Sequence, residues 1–80
     1  MRKYRTNMEL EELVCNSCGK QLQVRDGFAT EGCFSIDYPW GYFSSMDGTM
    51  HHFDLCEECY RRITEQFLIP PTKTETTEIL

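Results

Sequence analysis

Two cysteine pairs of identical spacing, Cys15-Asn-Ser-Cys18 and Cys56-Glu-Glu-Cys59, limit what this chain can fold into more than any other feature. Thiolates two residues apart in a tight turn can reach one metal together. Two such pairs complete a tetrahedral four-sulfur shell, the arrangement typical of structural zinc. With every position filled by sulfur, no coordination site is left for substrate. The spacing therefore predicts one structural Zn2+ per chain, held by Cys15, Cys18, Cys56 and Cys59. It says much about architecture and little about biological role.

The chain's size explains why it needs a metal. Eighty residues with 40% hydrophobic content make one small domain with a thin core. Such a core rarely supplies more than about 3–5 kcal/mol. A structural zinc can add about 10–16 kcal/mol of apparent binding energy, which becomes folding energy. Disulfides are the competing explanation for paired cysteines. Against them, Met1-Arg2-Lys3-Tyr4-Arg5 is followed by a polar stretch instead of the apolar run of a secretory signal, and the cysteine count is odd. No stretch approaches transmembrane length. The expectation is a reduced, cytoplasmic protein with no membrane association.

The formal net charge is −5, from 13 acids and 8 bases. Four thiolates around one Zn2+ contribute a further −2, so the metal-loaded domain is nearer −7. Phosphate-backbone binding depends on clustered Lys and Arg. Here the only clusters are Arg2-Lys3-Arg5 and Arg61-Arg62, so nucleic acid is a disfavoured partner.

Along the chain, residues 1–12 read as a flexible lead-in, with one helical turn over Met8 to Leu13. Residues 13–69 form the zinc-binding domain, and residues 70–80, polar after Pro70-Pro71, read as a disordered tail. Val14 to Lys20 has the form of a zinc knuckle, and Gly19 supplies the positive φ that turns backbone N–H groups toward sulfur. Gln21 to Arg25 alternates like a strand, and Asp26-Gly27 marks a turn. Phe34, Ile36 and Tyr38 share one strand face, opposite Cys33, Ser35 and Asp37, until Pro39 interrupts. Trp40 to Ser45 and Met50 to Leu55 read as two extended runs joined by an Asp47-Gly48 hairpin turn. Asp54 and Glu57 form a capping-box pattern for a helix whose buried stripe is Tyr60, Ile63 and Phe67.

A knuckle, then strands, then a CxxC that opens a helix resembles the treble-clef zinc fingers over roughly residues 13 to 68. Cys15-x-x-Cys18-Gly19 and Leu55-Cys56-x-x-Cys59 carry the resemblance. It implies a small α+β zinc-stabilised domain of zinc knuckle, β-hairpins and one C-terminal helix. The chain is also similar to small bacterial or phage zinc-ribbon proteins without assigned activity, through Trp40-Gly41-Tyr42-Phe43-Ser44, Asp47-Gly48 and Phe53-Asp54-Leu55-Cys56.

The frame is distantly similar to HNH-type endonucleases, where four cysteines surround a second, catalytic metal. Those enzymes place an Asp-His pair before the last strand, an Asn just before the second CxxC and a His after it. The corresponding places here hold Asp37-Tyr38, His51 or His52, and Tyr60. The general base and the metal-binding His are both missing, so the resemblance implies no nuclease chemistry and the chain is not expected to be an enzyme.

The remaining candidates are weighed between structural and functional roles. Cys33 reads as a small half-buried hydrophobe on a strand, with a redox-sensing thiol or an alternative zinc ligand as the other readings. His51 and His52 point to opposite faces and read as surface or hydrogen-bonded histidines, with a supporting contact to zinc-bound sulfur as the alternative. Trp40, Tyr42 and Phe43 either fill the core or present an aromatic contact surface, and sequence leaves both open. The expected function is a non-catalytic, zinc-stabilised protein-interaction module, a small regulator or adaptor whose partner is another protein or a second copy in a homodimer. A thiol-based redox or metal sensor is the alternative, and a degenerate HNH-like nucleic-acid binder the third reading.

Overall fold

The computed structural model describes residues 1–76. Of the expected tail (70–80), residues 77–80 lie outside the described residues, and 71–76 carry no helix or strand. The order of elements is β1 (Arg2–Tyr4), β2 (Leu10–Val14), β3 (Gln21–Leu22), β4 (Val24–Arg25), β5 (Phe28–Ala29), β6 (Cys33–Pro39), β7 (Met50–Cys56) and α1 (Glu57–Thr64). They form a small α+β fold with three antiparallel sheets, β1-β2-β3, β4-β5 and β6-β7.

The first 14 residues correct the sequence reading. The lead-in is β1, and the helical turn expected at Met8 to Leu13 is strand β2, which pairs with it. Lys3 faces Glu12 while Tyr4 faces Leu10, so Glu11 is one extra residue on β2. A bulge of this kind offsets the pleat. Leu10 and Leu13, three apart, thus both turn inward and are buried. That i, i+3 spacing imitates a helix, but strand pairing produces it here.

β2 and β3 flank the knuckle, with Leu13 opposite Leu22. The short strand expected over residues 21–25 divides at Gln23 into β3 and β4. β4 turns into β5 through Asp26 (φ 52°) and Gly27 (φ 82°), a two-residue loop with both residues left-handed. This is the type I′ geometry that an Asp-Gly pair favours.

The longest ladder pairs β6 with β7 over seven residues, from Cys33 opposite Cys56 to Pro39 opposite Met50. The Trp40 N–H bonds the Thr49 carbonyl at 2.9 Å, which makes residues 40 and 49 a hydrogen-bonded pair. Bonded and non-bonded pairs alternate along an antiparallel ladder, so Pro39 falls at a non-bonded position. Its missing N–H would have pointed away from β7, and the strand therefore runs through Pro39. The extended run expected over Trp40 to Ser45 is instead a series of turns, closed by Ser44 N–H to Gly41 O (3.0 Å) and Thr49 N–H to Met46 O (3.0 Å). The partner of β7 is β6.

Two further expectations change at the helix. Asp54 does not cap it; Cys56 does, with its Sγ accepting the Cys59 N–H. Asp54 sits within β7, 4% exposed. The expected buried stripe is also absent. Tyr60 is half-buried and stacks on Phe34, with ring centroids 4.9 Å apart. Ile63 is exposed, and Phe67 lies beyond the end of α1. Cys59 is the one buried residue of the helix. Glu57–Arg61 and Glu58–Arg62 ion pairs line its exposed face, each worth about 0.3–0.5 kcal/mol.

The core is four leucines and three cysteines: Leu10, Leu13, Leu22, Leu55, Cys15, Cys56 and Cys59. Val24, Cys33, Phe53 and Tyr60 pack around it. Sulfur cluster and hydrophobic core are therefore one unit.

Candidate metal centre

Each of the four cysteines is brought in by a separate piece of local geometry. Cys15 follows β2 directly, and its N–H bonds the Lys20 carbonyl (2.9 Å) across the knuckle. Gly19 adopts φ 80°, as the sequence predicts, and its N–H returns to the Cys15 carbonyl (2.9 Å). Cys18 lies at the turn and is exposed. Cys56 ends β7 and Cys59 lies in the first turn of α1. The helix dipole and its unbonded N–H groups favour negative sulfur at this position.

The ligand atoms of Cys15, Cys18, Cys56 and Cys59 all lie within 4.8 Å of one another. Cys18 Sγ and Cys56 Sγ are 3.9 Å apart. Zinc–sulfur bonds of about 2.3 Å in a tetrahedron set sulfur–sulfur edges of about 3.8 Å, so one ion fits the cluster with small adjustments. All four are free thiols, not disulfides.

Their acidities diverge. Burial opposes ionisation of Cys15, but N–H groups of Cys18, Cys56 and Ser17 outweigh it and bring the thiol down to about 6. Cys59 is pushed up to about 12, chiefly because its thiol hydrogen bonds the Cys56 sulfur. Closely packed sulfurs cannot all ionise side by side, so some retain protons. A divalent cation held by Cys15, Cys18, Cys56 and Cys59 would take over that neutralising role, and its binding would release protons.

A separate polar cluster ties β1 and the knuckle to β7. The Met1 amino group reaches Asp54 Oδ2 (2.8 Å), and Arg2 Nε reaches Oδ1 (3.0 Å). The Ser35 hydroxyl donates to the same carboxylate. Asn16 completes the tie: its N–H bonds the Asp54 carbonyl (2.7 Å) and its side-chain oxygen accepts the Asp54 N–H (2.9 Å). Burial alone would raise the Asp54 pKa. The amino group, Ser35 and Arg2 together hold it below its ordinary value. Asp54 therefore locks Asn16, within the first cysteine pair, to the strand carrying the second. The capping-box pattern concealed this role.

The other candidates lie away from the sulfurs. His51 accepts a hydrogen bond from the Trp40 indole (3.2 Å), and His52 pairs with Asp37 across the ladder. Both are exposed, as surface or hydrogen-bonded histidines would be. A cleft of about 490 Å³, lined in part by Arg2, Ser35, Asp37, His52 and Asp54, opens on this polar face. Among the described residues no buried side-chain nitrogen or oxygen lacks a partner, so no orphaned group points into it.

Trp40 is half-buried, edge-on to Tyr38 with centroids 4.9 Å apart. Tyr42 (85% exposed) and Phe43 (98% exposed) pack edge-to-face on each other at 5.4 Å, with almost no other cover. Trp40, Tyr42 and Phe43 do not lie on the extended run expected over Trp40 to Ser45, because residues 42–48 are turn and bend and not strand.

Among the described residues, no helix is long and apolar enough to cross a membrane. Compared with protein-family models, with curated proteins and with solved structures, the chain matches none.

Proposed function

We propose that this chain is a non-catalytic, zinc-stabilised interaction module that binds another protein through the aromatic end of the β6–β7 hairpin. The observation that carries this reading is the pair Tyr42 and Phe43, two aromatic rings held in water at the hairpin tip, remote in sequence from both cysteine pairs. Two large aromatics left uncovered in a domain short of core material contribute little to folding. Aromatic residues are also enriched where protein interfaces concentrate their binding energy. Trp40, edge-on to Tyr38, supplies a rigid base for the tip.

Zinc is the metal this reading assigns, since four thiolates and a closed tetrahedral shell suit it best. The fold reading is treble-clef-like, supported by the knuckle at Cys15–Lys20 and by Cys56 and Cys59 at the start of α1. When bound, the ion supplies a fourfold cross-link between knuckle and helix. A reduced, cytoplasmic setting accords with five free thiols. Nucleic acid is disfavoured further by position: no Lys or Arg occurs between Arg25 and Arg61, the stretch that includes the whole hairpin.

The test is capture of partners from a cell extract with zinc-loaded wild type and with Tyr42→Ala/Phe43→Ala. A partner lost with the double variant, at unchanged zinc content and Tm, supports the reading. A partner retained by the variant contradicts it. Sedimentation over a concentration series identifies the case in which the partner is a second copy.

A further inference from the structure

Cys33 is the cysteine outside the metal centre, and it lies directly opposite one of the four ligands. The β6–β7 register sets Cys33 against Cys56. The pair at residues 40 and 49 is hydrogen-bonded. Alternation makes the pairs at Tyr38, Ile36 and Phe34 bonded as well, and leaves Cys33–Cys56 non-bonded. Asp54 gives the same parity independently, because its backbone N–H and C=O both turn away from β6 to Asn16. Residues facing each other in a non-bonded pair have Cα atoms about 4.5 Å apart and side chains on the same side. Disulfides span Cα separations of about 4.4–6.8 Å. Cys33 is half-buried and packs against the core cluster that contains Cys56.

We propose that Cys33 is an oxidative modification site, a reserve thiol placed to form a disulfide with Cys56 and so remove one ligand from the metal. The proposal rests on the four-thiolate reading of the centre and is independent of the aromatic surface. The oxidant is a hydroperoxide. Cys33 is the favoured first target because its sulfur has no place in the metal cluster, whereas a metal-bound thiolate is a weaker nucleophile. The Cys33 thiol attacks the terminal peroxide oxygen; the O–O bond breaks, the thiol proton passes to the departing oxygen, which leaves as an alcohol (water when the oxidant is hydrogen peroxide), and a sulfenic acid forms. The Cys56 sulfur then attacks the Cys33 sulfur. The S–O bond breaks, hydroxide leaves, and the two sulfurs have together lost the two electrons the peroxide gained. Cys56 can no longer ligate, and three thiolates hold the ion poorly.

Bridges within Cys15/Cys18 or Cys56/Cys59 are the competing outcome. Each would consume two bound thiolates, while the Cys33 route consumes one. Cys56 also caps α1 through its sulfur. The cross-strand bridge therefore changes the helix start and the metal shell in one event, while it staples the base of the β6–β7 hairpin.

The experiment treats zinc-loaded wild type and Cys33→Ser with hydrogen peroxide. It follows zinc release with a metallochromic dye and maps disulfides by mass spectrometry after alkylation. Zinc content and circular dichroism before oxidation establish that each variant is loaded and folded, and Cys33→Ala is the second variant. The expected result is a Cys33–Cys56 bridge in wild type, stoichiometric zinc release reversed by dithiothreitol, and release slowed severalfold in both variants. Equal release rates in wild type and variants, or bridges confined to the within-pair cysteines, overturn the proposal. If the protein binds no zinc, the metal reading fails on its own evidence, and mapping the metal-free protein still decides whether Cys33 and Cys56 pair.

Discussion

The two ends of the β6–β7 hairpin are built on opposite terms. At its base, Cys56 ends β7, caps α1 and faces the Cys15–Cys18 knuckle, with Asp54 tied to Asn16, Arg2 and the Met1 amino group. At its tip, residues 41–48 follow one turn with another, and Tyr42 and Phe43 touch little besides each other. Nearly every buried side chain belongs to the base, including Leu55, Cys56 and Cys59 with Leu10, Leu13 and Leu22 from the first sheet. A chain this short concentrates its folding energy in one place and leaves the rest of its surface free to do something else. Mutations at the base should therefore cost stability, and mutations at the tip should cost only binding.

The sharpest break in that contrast is Cys56→Ser. With one ligand gone and a core too small to compensate, the cooperative unfolding transition should disappear from thermal circular dichroism. Chelation of wild-type zinc should give the same loss. A variant that melts like wild type would mean that the base does not depend on the metal.

Leu13→Ala comes next. Leu13, on the central strand of the first sheet, is 0% exposed and belongs to the core cluster shared with Cys15, Cys56 and Cys59, and the truncation should cost about 2–5 kcal/mol in urea unfolding of the zinc-loaded protein. A smaller effect carries the Asp54 tie. Asp54→Asn should cost about 1–3 kcal/mol at neutral pH by leaving buried donors poorly matched. Because the folded state holds the Asp54 carboxyl below its ordinary value, its contribution is present above the ordinary carboxylate range. It is lost as pH falls below that range and through the lowered value of the folded state, so the gap between wild type and variant should narrow on acidification. A gap that widens would reverse the assigned sign.

The smallest expected effect is at the tip. Tyr42→Ala/Phe43→Ala should change stability by no more than about 0.5 kcal/mol, the usual range for exposed positions. A loss of several kcal/mol would show that the tip is folded against the body and would remove the contrast.

How much of this was readable in the chain follows the same division. The two CxxC pairs, the left-handed Gly19 and the Asp26-Gly27 turn were legible because each is fixed by residues adjacent in sequence. The errors came where distant partners decide. Glu11 bulges because β1 pairs across it, and that bulge gave Leu10 and Leu13 the spacing of a helix. Asp54 resembled an N-cap because Glu57 follows three residues later, yet its carboxylate is drawn to residues more than fifty positions away. Trp40 to Ser45 has strand-forming residue types, but β7 pairs with β6, which runs straight through Pro39. The Cys33–Cys56 juxtaposition was likewise invisible without the register.

The claim on which the rest depends is that one zinc is clasped by Cys15, Cys18, Cys56 and Cys59. X-ray absorption at the zinc edge of the purified protein tests it most directly, read beside metal stoichiometry. The account predicts one zinc per chain with four sulfur neighbours at about 2.3 Å. A protein that folds without zinc, or a zinc whose shell contains nitrogen or oxygen in place of any of those sulfurs, would contradict it.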